Sequence, residues 1–123
     1  MITIPIIIPA AMRHHQLPAI LFALAVYLLA GAATGQEVEF KLTVRNHKFE
    51  PAELAVPAGK KIKLVIDNQD STPEEFESYE LNREKVIAAN SSAVVYVGPL
   101  KEGRYPFFGD FNKQTAQGAL IAK

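Results

Sequence analysis

From Val38 onward the chain alternates apolar and polar residues with a period of two. In E-V-E-F-K-L-T-V, the residues Val38, Phe40, Leu42 and Val44 fall on one side and their charged or hydroxylated neighbours on the other. That is the pattern of a strand with one buried face. It recurs in Lys61 to Asp67, where Ile62, Leu64 and Ile66 share a face, and in Ala93 to Val97. Arg104 to Phe108 and Gly118 to Ala122 predict two more strands. Turn-forming residues separate these runs: Pro57-Ala58-Gly59, Asn68 to Pro73, Gly98-Pro99 and Lys101-Glu102-Gly103. Leu81 to Ala89 fits one helical turn, although Val86 and Ile87 suit a strand equally. About seven or eight short strands at spacings near ten residues, with no amphipathic helix, predict an all-β antiparallel sandwich or small barrel. No internal repeat or low-complexity linker follows residue 36.

The N-terminal third has a different pattern. Leu17 to Ala33 carries no charge, follows Arg13-His14-His15 and runs into small residues before Gln36. Basic start, apolar middle and small-residue exit is the order of a signal peptide. Residues 1–35 are therefore expected to form an export signal helix, cut after Gly35 or, as the alternative, after Ala33. An uncleaved anchor is the competing reading, because the apolar run approaches bilayer-spanning length; Pro18 and the shortness of the run favour cleavage. Residues 1–11 are rich in isoleucine and proline and lack a positive charge, which points to Met12 as the true start. The expected product, residues 36–123, is periplasmic or secreted and does not span the membrane. With no cysteine near the cut it is not a lipoprotein.

Composition narrows the chemistry. The 123 residues hold 13 basic and 13 acidic side chains, and no cysteine. Losing the leader removes only Arg13 among these, leaving a net charge of −1, so no nucleic-acid partner is indicated. Disulfides, thiolate metal sites and cysteine nucleophiles are excluded together. The leader also takes with it both methionines and two of the three histidines, so His47 is the one imidazole left. No Ser-His-Asp arrangement, phosphate-cradling glycine loop or zinc-spaced histidine set is present. A glycosidase-like carboxylate pair is arithmetically available, but no sugar cleft can be argued.

Three segments carry a family resemblance. They are F-x-P-x-x-L-x-V-x-x-G at Phe49 to Gly59, then K-I-K-L-V-I-D-N-Q-D at Lys61 to Asp70, then Y-P-F-F-G-D-F-N at Tyr105 to Asn112 with the closing A-Q-G-A-L-I. In this order they resemble the cupredoxin family over roughly Val38 to Ala122. The resemblance implies a Greek-key β-sandwich with a metal site at one end. A blue-copper site takes two histidines and a cysteine thiolate, with a weak axial methionine. Carried over by motif, those ligand positions fall on Glu74 and Asn112 for the histidines, Gly109 for the cysteine and Ala116 for the methionine. All four ligands are absent, which excludes type 1 copper electron transfer.

The runs Glu74 to Lys85 and Phe107 to Gly118 look like a narrower branch, the cupredoxin-like proteins associated with bacterial iron uptake, often encoded beside an iron permease. That likeness implies an exported metal-handling role, binding iron or copper or helping ferrous iron reach a permease and be oxidised there. The branch pattern has a histidine at the place of Asn112 and in some members at Tyr79, and this chain departs from both.

The remaining polar residues supply candidate ligands. If Phe76 points inward on a strand, Glu74 and Ser78 share its face while Glu75 and Glu77 face outward. Glu74 is then the best-placed metal ligand, with Asp110, Glu77 and His47 completing the candidate set; His47 shares the face of Phe49 if that strand is regular. One imidazole with two or three carboxylates suits Fe²⁺, Mn²⁺ or Zn²⁺ and lacks the soft donor that holds Cu⁺. The plainer reading makes Glu74, Glu75, Glu77 and Glu80 a solvated acidic face, His47 a surface histidine and Asp110 a turn residue. Tyr79, Tyr105, Phe107, Phe108 and Phe111 are read as core or as a contact surface. The leading expectation is a metal-binding accessory protein in ferrous-iron or other transition-metal acquisition, with no catalytic residues assigned. A metal-free interaction module is the alternative.

Overall fold

A computed structural model describes residues 37–123. The expected signal helix, its cleavage site and the Met12 start lie outside the described residues. Nine strands follow in order: β1 (Val38–Arg45), β2 (Lys48–Glu50), β3 (Glu53–Val56), β4 (Ile62–Asn68), β5 (Glu74–Ser78), β6 (Arg83–Ile87), β7 (Ser91–Val97), β8 (Gly103–Gly109) and β9 (Gln117–Ala122). A single 3-10 turn, Asp110–Asn112, separates β8 from β9. The ambiguous Leu81 to Ala89 segment resolves as strand β6 rather than a helical turn. The count exceeds the expectation because Phe49 to Val56 breaks at Pro51-Ala52 into β2 and β3, which join different sheets. Proline cannot donate to a ladder, so the chain crosses between layers there.

One sheet has the order β2-β1-β4-β7 and the other β3-β9-β8-β5-β6. They stack as the expected cupredoxin-like sandwich. The sheets are mixed rather than wholly antiparallel: β1 runs parallel to β4, from Val38 opposite Ile62 to Val44 opposite Asn68, and β3 runs parallel to β9. The other pairings are antiparallel.

The alternating residues meet between the layers. Leu42, Val44, Ile62, Leu64 and Ile66 are fully buried, and Phe76, Phe107 and Leu120 face them from the second sheet. Three rings form the seam. Phe49 lies edge-on to Phe107 with centroids 5.0 Å apart and to Phe76 at 6.2 Å, while Phe76 and Phe107 are 5.1 Å apart. These separations fall in the favourable range for aromatic pairs. Gly118, opposite Phe107 on β9, makes room for this packing, because a Cβ there would stand 2.6 Å from the Phe107 ring.

Asn68 closes the end of β4. It is fully buried, and its amide donates to the carbonyls of Thr72 (2.9 Å), Ile87 (3.2 Å) and Ala88 (3.3 Å). Its Oδ1 accepts from the Asp70 N–H at 3.0 Å. One side chain thus ties β4, the following loop and the end of β6, at the edge of the sandwich where β5 begins.

Candidate functional site

Strand β5 divides its carboxylates between two environments, as its alternation requires. Glu74, Phe76 and Ser78 point inward and are buried, whereas Glu75 and Glu77 point outward and are half-buried.

The inward carboxyl lies where the copper-ligand positions converge. Glu74 is 1% exposed. Its Oε1 accepts the backbone N–H groups of Glu75 and Phe111, each at 3.0 Å, and its Oε2 accepts the Asn112 amide at 2.7 Å. Gly109 and Ala116 complete the group: the Gly109 N–H donates to the Ala116 carbonyl at 2.8 Å, and both residues are buried. A Cβ built on Gly109 would lie 2.6 Å from the Glu74 carboxyl carbon and 2.6 Å from the Ala116 methyl. The four positions carried over from the family motif are therefore neighbours in space, and the volume among them is filled by the Glu74 side chain. These residues do not fit a copper ion. No thiolate, imidazole or thioether is present, and the carboxyl oxygens are already engaged by N–H donors.

The outward carboxylates form a second group. Glu75, Glu77 and Asp110 each offer a carboxylate oxygen within 4.8 Å of the others. Glu84 stands opposite Glu77 on β6, diagonal to Glu75. Partial loss of solvent pushes the Glu75 carboxyl up, and its contact with Glu84 and the charges of Glu84, Asp110 and Glu77 push it further, to about 7. Lys113, exposed beyond the 3-10 turn, pairs with Asp110 at 3.2 Å. Oxygens bound to one Zn²⁺- or Mg²⁺-sized ion at about 2.1 Å stand roughly 3–4.2 Å apart. From a spacing of up to 4.8 Å, the trio needs to contract by at most about 1.8 Å to share such an ion, and every donor is a hard oxygen.

His47 belongs to neither group. It is not on a regular strand, so the expectation that it shares a face with Phe49 is corrected. Arg45 pairs with Lys48, leaving Asn46 and His47 as a two-residue loop with φ of 53° and 57°, the left-handed pair of a type I′ hairpin. Asp70 caps this turn, accepting the N–H of Asn46 at 2.8 Å and of His47 at 2.9 Å. The His47 Nδ1 lies 3.6 Å from the same carboxylate. His47 borders a shallow cleft of about 370 Å³ with Phe111, Asn112 and Lys113, so it reaches the correct end of the sandwich without joining the carboxylates.

The set expected from sequence thus separates three ways: Glu74 inside, Glu77 with Asp110 outside, and His47 on the turn. Glu75 and Glu84 were missed as partners. Their signal was the outward i, i+2 pair Glu75 and Glu77, but Asp110 and Glu84 join it only through long-range strand pairing. Of the aromatic residues, Phe107 is core, while Tyr79 is 72% exposed and packs on the half-buried Phe108 at 5.5 Å. Phe111 is also exposed.

A family model described as a cupredoxin-like domain matches residues 18–122. The chain belongs to the cupredoxin-like domain family. An uncharacterised protein of Rickettsia prowazekii (strain Madrid E) is 48% identical over 84 residues, covering 68% of this chain and 67% of the relative. Solved structures share the fold at low identity. Auracyanin A, a blue copper protein of Chloroflexus aurantiacus, matches with TM-score 0.62 and 12% identity over 72% of this chain and all of its own. The metal-binding domain of a Cu(I)-exporting P-type ATPase of Streptococcus pneumoniae D39 matches with TM-score 0.61 and 16% identity, covering 73% and 88%. Amicyanin from Paracoccus versutus matches with TM-score 0.55 and 14% identity, covering 75% and 88%. Blue-copper chemistry needs a cysteine, and this cupredoxin-like chain has none.

Proposed function

We propose that this cupredoxin-like protein is exported and binds a hard divalent cation through Glu75, Glu77 and Asp110, serving as an accessory to transition-metal uptake. The convergence of those three carboxylates is the observation that carries the reading. Neighbouring anions that raise the proton affinity of Glu75 gain from a cation in the same place. An all-oxygen set suits Fe²⁺, Mn²⁺ or Zn²⁺ better than Cu⁺. The likeness of the Glu74 to Lys85 and Phe107 to Gly118 runs to the iron-uptake branch supports ferrous iron as cargo and a membrane permease as the recipient. The copper proteins among the solved structures of this fold support metal handling in the wider fold, not at this site.

The test is thermal unfolding of the purified protein with Fe²⁺ under anaerobic conditions, Mn²⁺, Zn²⁺ and Cu²⁺. A cation that binds only the folded state raises the midpoint by mass action, about 2.7 kcal/mol at a hundredfold excess over its dissociation constant. The rise is expected for the hard divalent ions and is expected to vanish in Glu75→Gln/Glu77→Gln. No shift with any of the four at concentrations up to about 1 mM would overturn the metal reading. The alternative, an interaction module, would then gain from the exposed Tyr79 and Phe111 beside the acidic face.

A further inference from the structure

We propose that the Glu74 carboxyl acts as a fixed internal clamp, closing the end of the sandwich in place of a metal ion, and that Gly109 is glycine in order to admit it. Gly109 has φ −93° and ψ 111°, an extended backbone that any residue adopts. Its lack of a side chain therefore answers to space rather than conformation. The space is taken by Glu74, whose carboxyl carbon and Oε1 would lie 2.6 and 2.8 Å from a Cβ at 109, and by the Ala116 methyl, also at 2.6 Å. A side chain at 109 and the inward carboxyl at 74 exclude each other.

The clamp spans the segments that a metal at these positions would join. Glu74 is on β5, Gly109 ends β8, and Phe111 and Asn112 lie in the turn that leads to Ala116 and β9. The carboxyl receives one donor from β5 itself and two from the turn. Asn112 is fixed in addition through its carbonyl, which accepts from the Ala116 N–H at 2.8 Å. Every buried side-chain polar atom here is satisfied within the protein, so the group is complete without an ion. The two backbone donors also belong to Glu75 and to the residue after Asp110. The inner carboxyl therefore holds in register two of the three outer carboxylates. This last consequence rests on the proposed cation site, whereas the clamp does not.

A thermal-stability cycle on the full chain tests the clamp: Gly109→Ala, Glu74→Ala and the double variant, without added metal. Gly109→Ala is expected to lower the midpoint by several degrees in the parent and by less once Glu74 is alanine; the Ala116 methyl, also 2.6 Å from that Cβ, keeps part of the loss in both backgrounds. Strict additivity of the two losses would overturn the clamp, and so would a parent that tolerates Gly109→Ala. Circular dichroism of each variant at low temperature confirms that the folded state being melted is the same. A metal arm uses Glu75→Gln/Glu77→Gln, which lacks the outer trio. Fe²⁺, Mn²⁺, Zn²⁺ and Cu²⁺ are expected to leave its midpoint unchanged. A rise that disappears on adding Glu74→Gln would place metal at the inner position and overturn the proposal. If the parent itself responds to no metal, the outer-site reading fails while the cycle still decides the clamp.

Discussion

Glu75 keeps its proton to about pH 7 against an ordinary value of 4.5, because solvent is partly withdrawn and Glu84, Asp110 and Glu77 crowd it. A carboxyl raised in this way contributes stability that is complete below pH 4.5 and is lost as pH rises through about 7. A cation reverses the preference, since it needs the deprotonated form and releases the proton on binding. Divalent affinity should therefore weaken as pH falls below 7, by up to about tenfold per pH unit for each proton displaced. Titration calorimetry in two buffers of different ionisation enthalpy would count that proton. Glu84→Gln removes one of the crowding charges and should move the midpoint of this pH dependence downward; an unmoved midpoint would mean Glu84 does not feel Glu75.

Among the elements, the β1–β2 hairpin shows what alternation conveys and where it stops. The apolar stripes of β1, β4 and β7 were legible because each strand buries one face, and the structure buries Leu42, Val44, Ile62, Leu64 and Ile66 accordingly. A strand buries one face whether its neighbour runs parallel or antiparallel, so the parallel β1–β4 and β3–β9 pairs left no trace in the pattern. The inward direction of Glu74 was equally legible from its spacing to Phe76. Its partners were not, because Phe111 and Asn112 lie 37 and 38 positions away. His47 was misplaced because Asn46-His47 lacks the glycine that usually announces a two-residue hairpin. Asp70 compensates for that lack by accepting both turn N–H groups. Burial works against its charge, but these two donors and the nearby His47 and Arg45 outweigh it and hold the carboxyl below 3.8. The hairpin should thus be stabilised above that value and loosen as pH falls through the lowered one. Asp70→Ala should cost about 0.5–1.5 kcal/mol, because both turn donors are exposed and water replaces the lost carboxylate. His47→Gly accepts the left-handed φ more readily and should leave divalent affinity unchanged, as calorimetry would show; a lost affinity would restore His47 as a ligand.

For the whole molecule, the site depends on a seam that lies behind it. Strand β8 turns Phe107 into the core, Phe108 outward beside Tyr79, and Gly109 toward Glu74 within three consecutive residues. The same strand that holds the two sheets together therefore sets the position of both carboxyl groups. Phe107 contacts Phe49 from one sheet and Phe76 from its own, and is 1% exposed. Its replacement by alanine should cost about 3–5 kcal/mol, the sum of lost transfer free energy and an unfilled cavity. A domain of this size has a total stability of only about 4–13 kcal/mol, so the variant should lose at least about a quarter of it and, at the lower end of that range, all of it. Denaturant unfolding should show a lower midpoint with an unchanged slope, because the surface exposed on unfolding is nearly the same. Gly118→Ala acts on the same ring from β9, where a methyl would stand 2.6 Å from it, and should destabilise the parent more than it destabilises Phe107→Ala. If the two losses simply add, the ring and the glycine are not packed as a unit, and the seam is softer than its geometry indicates.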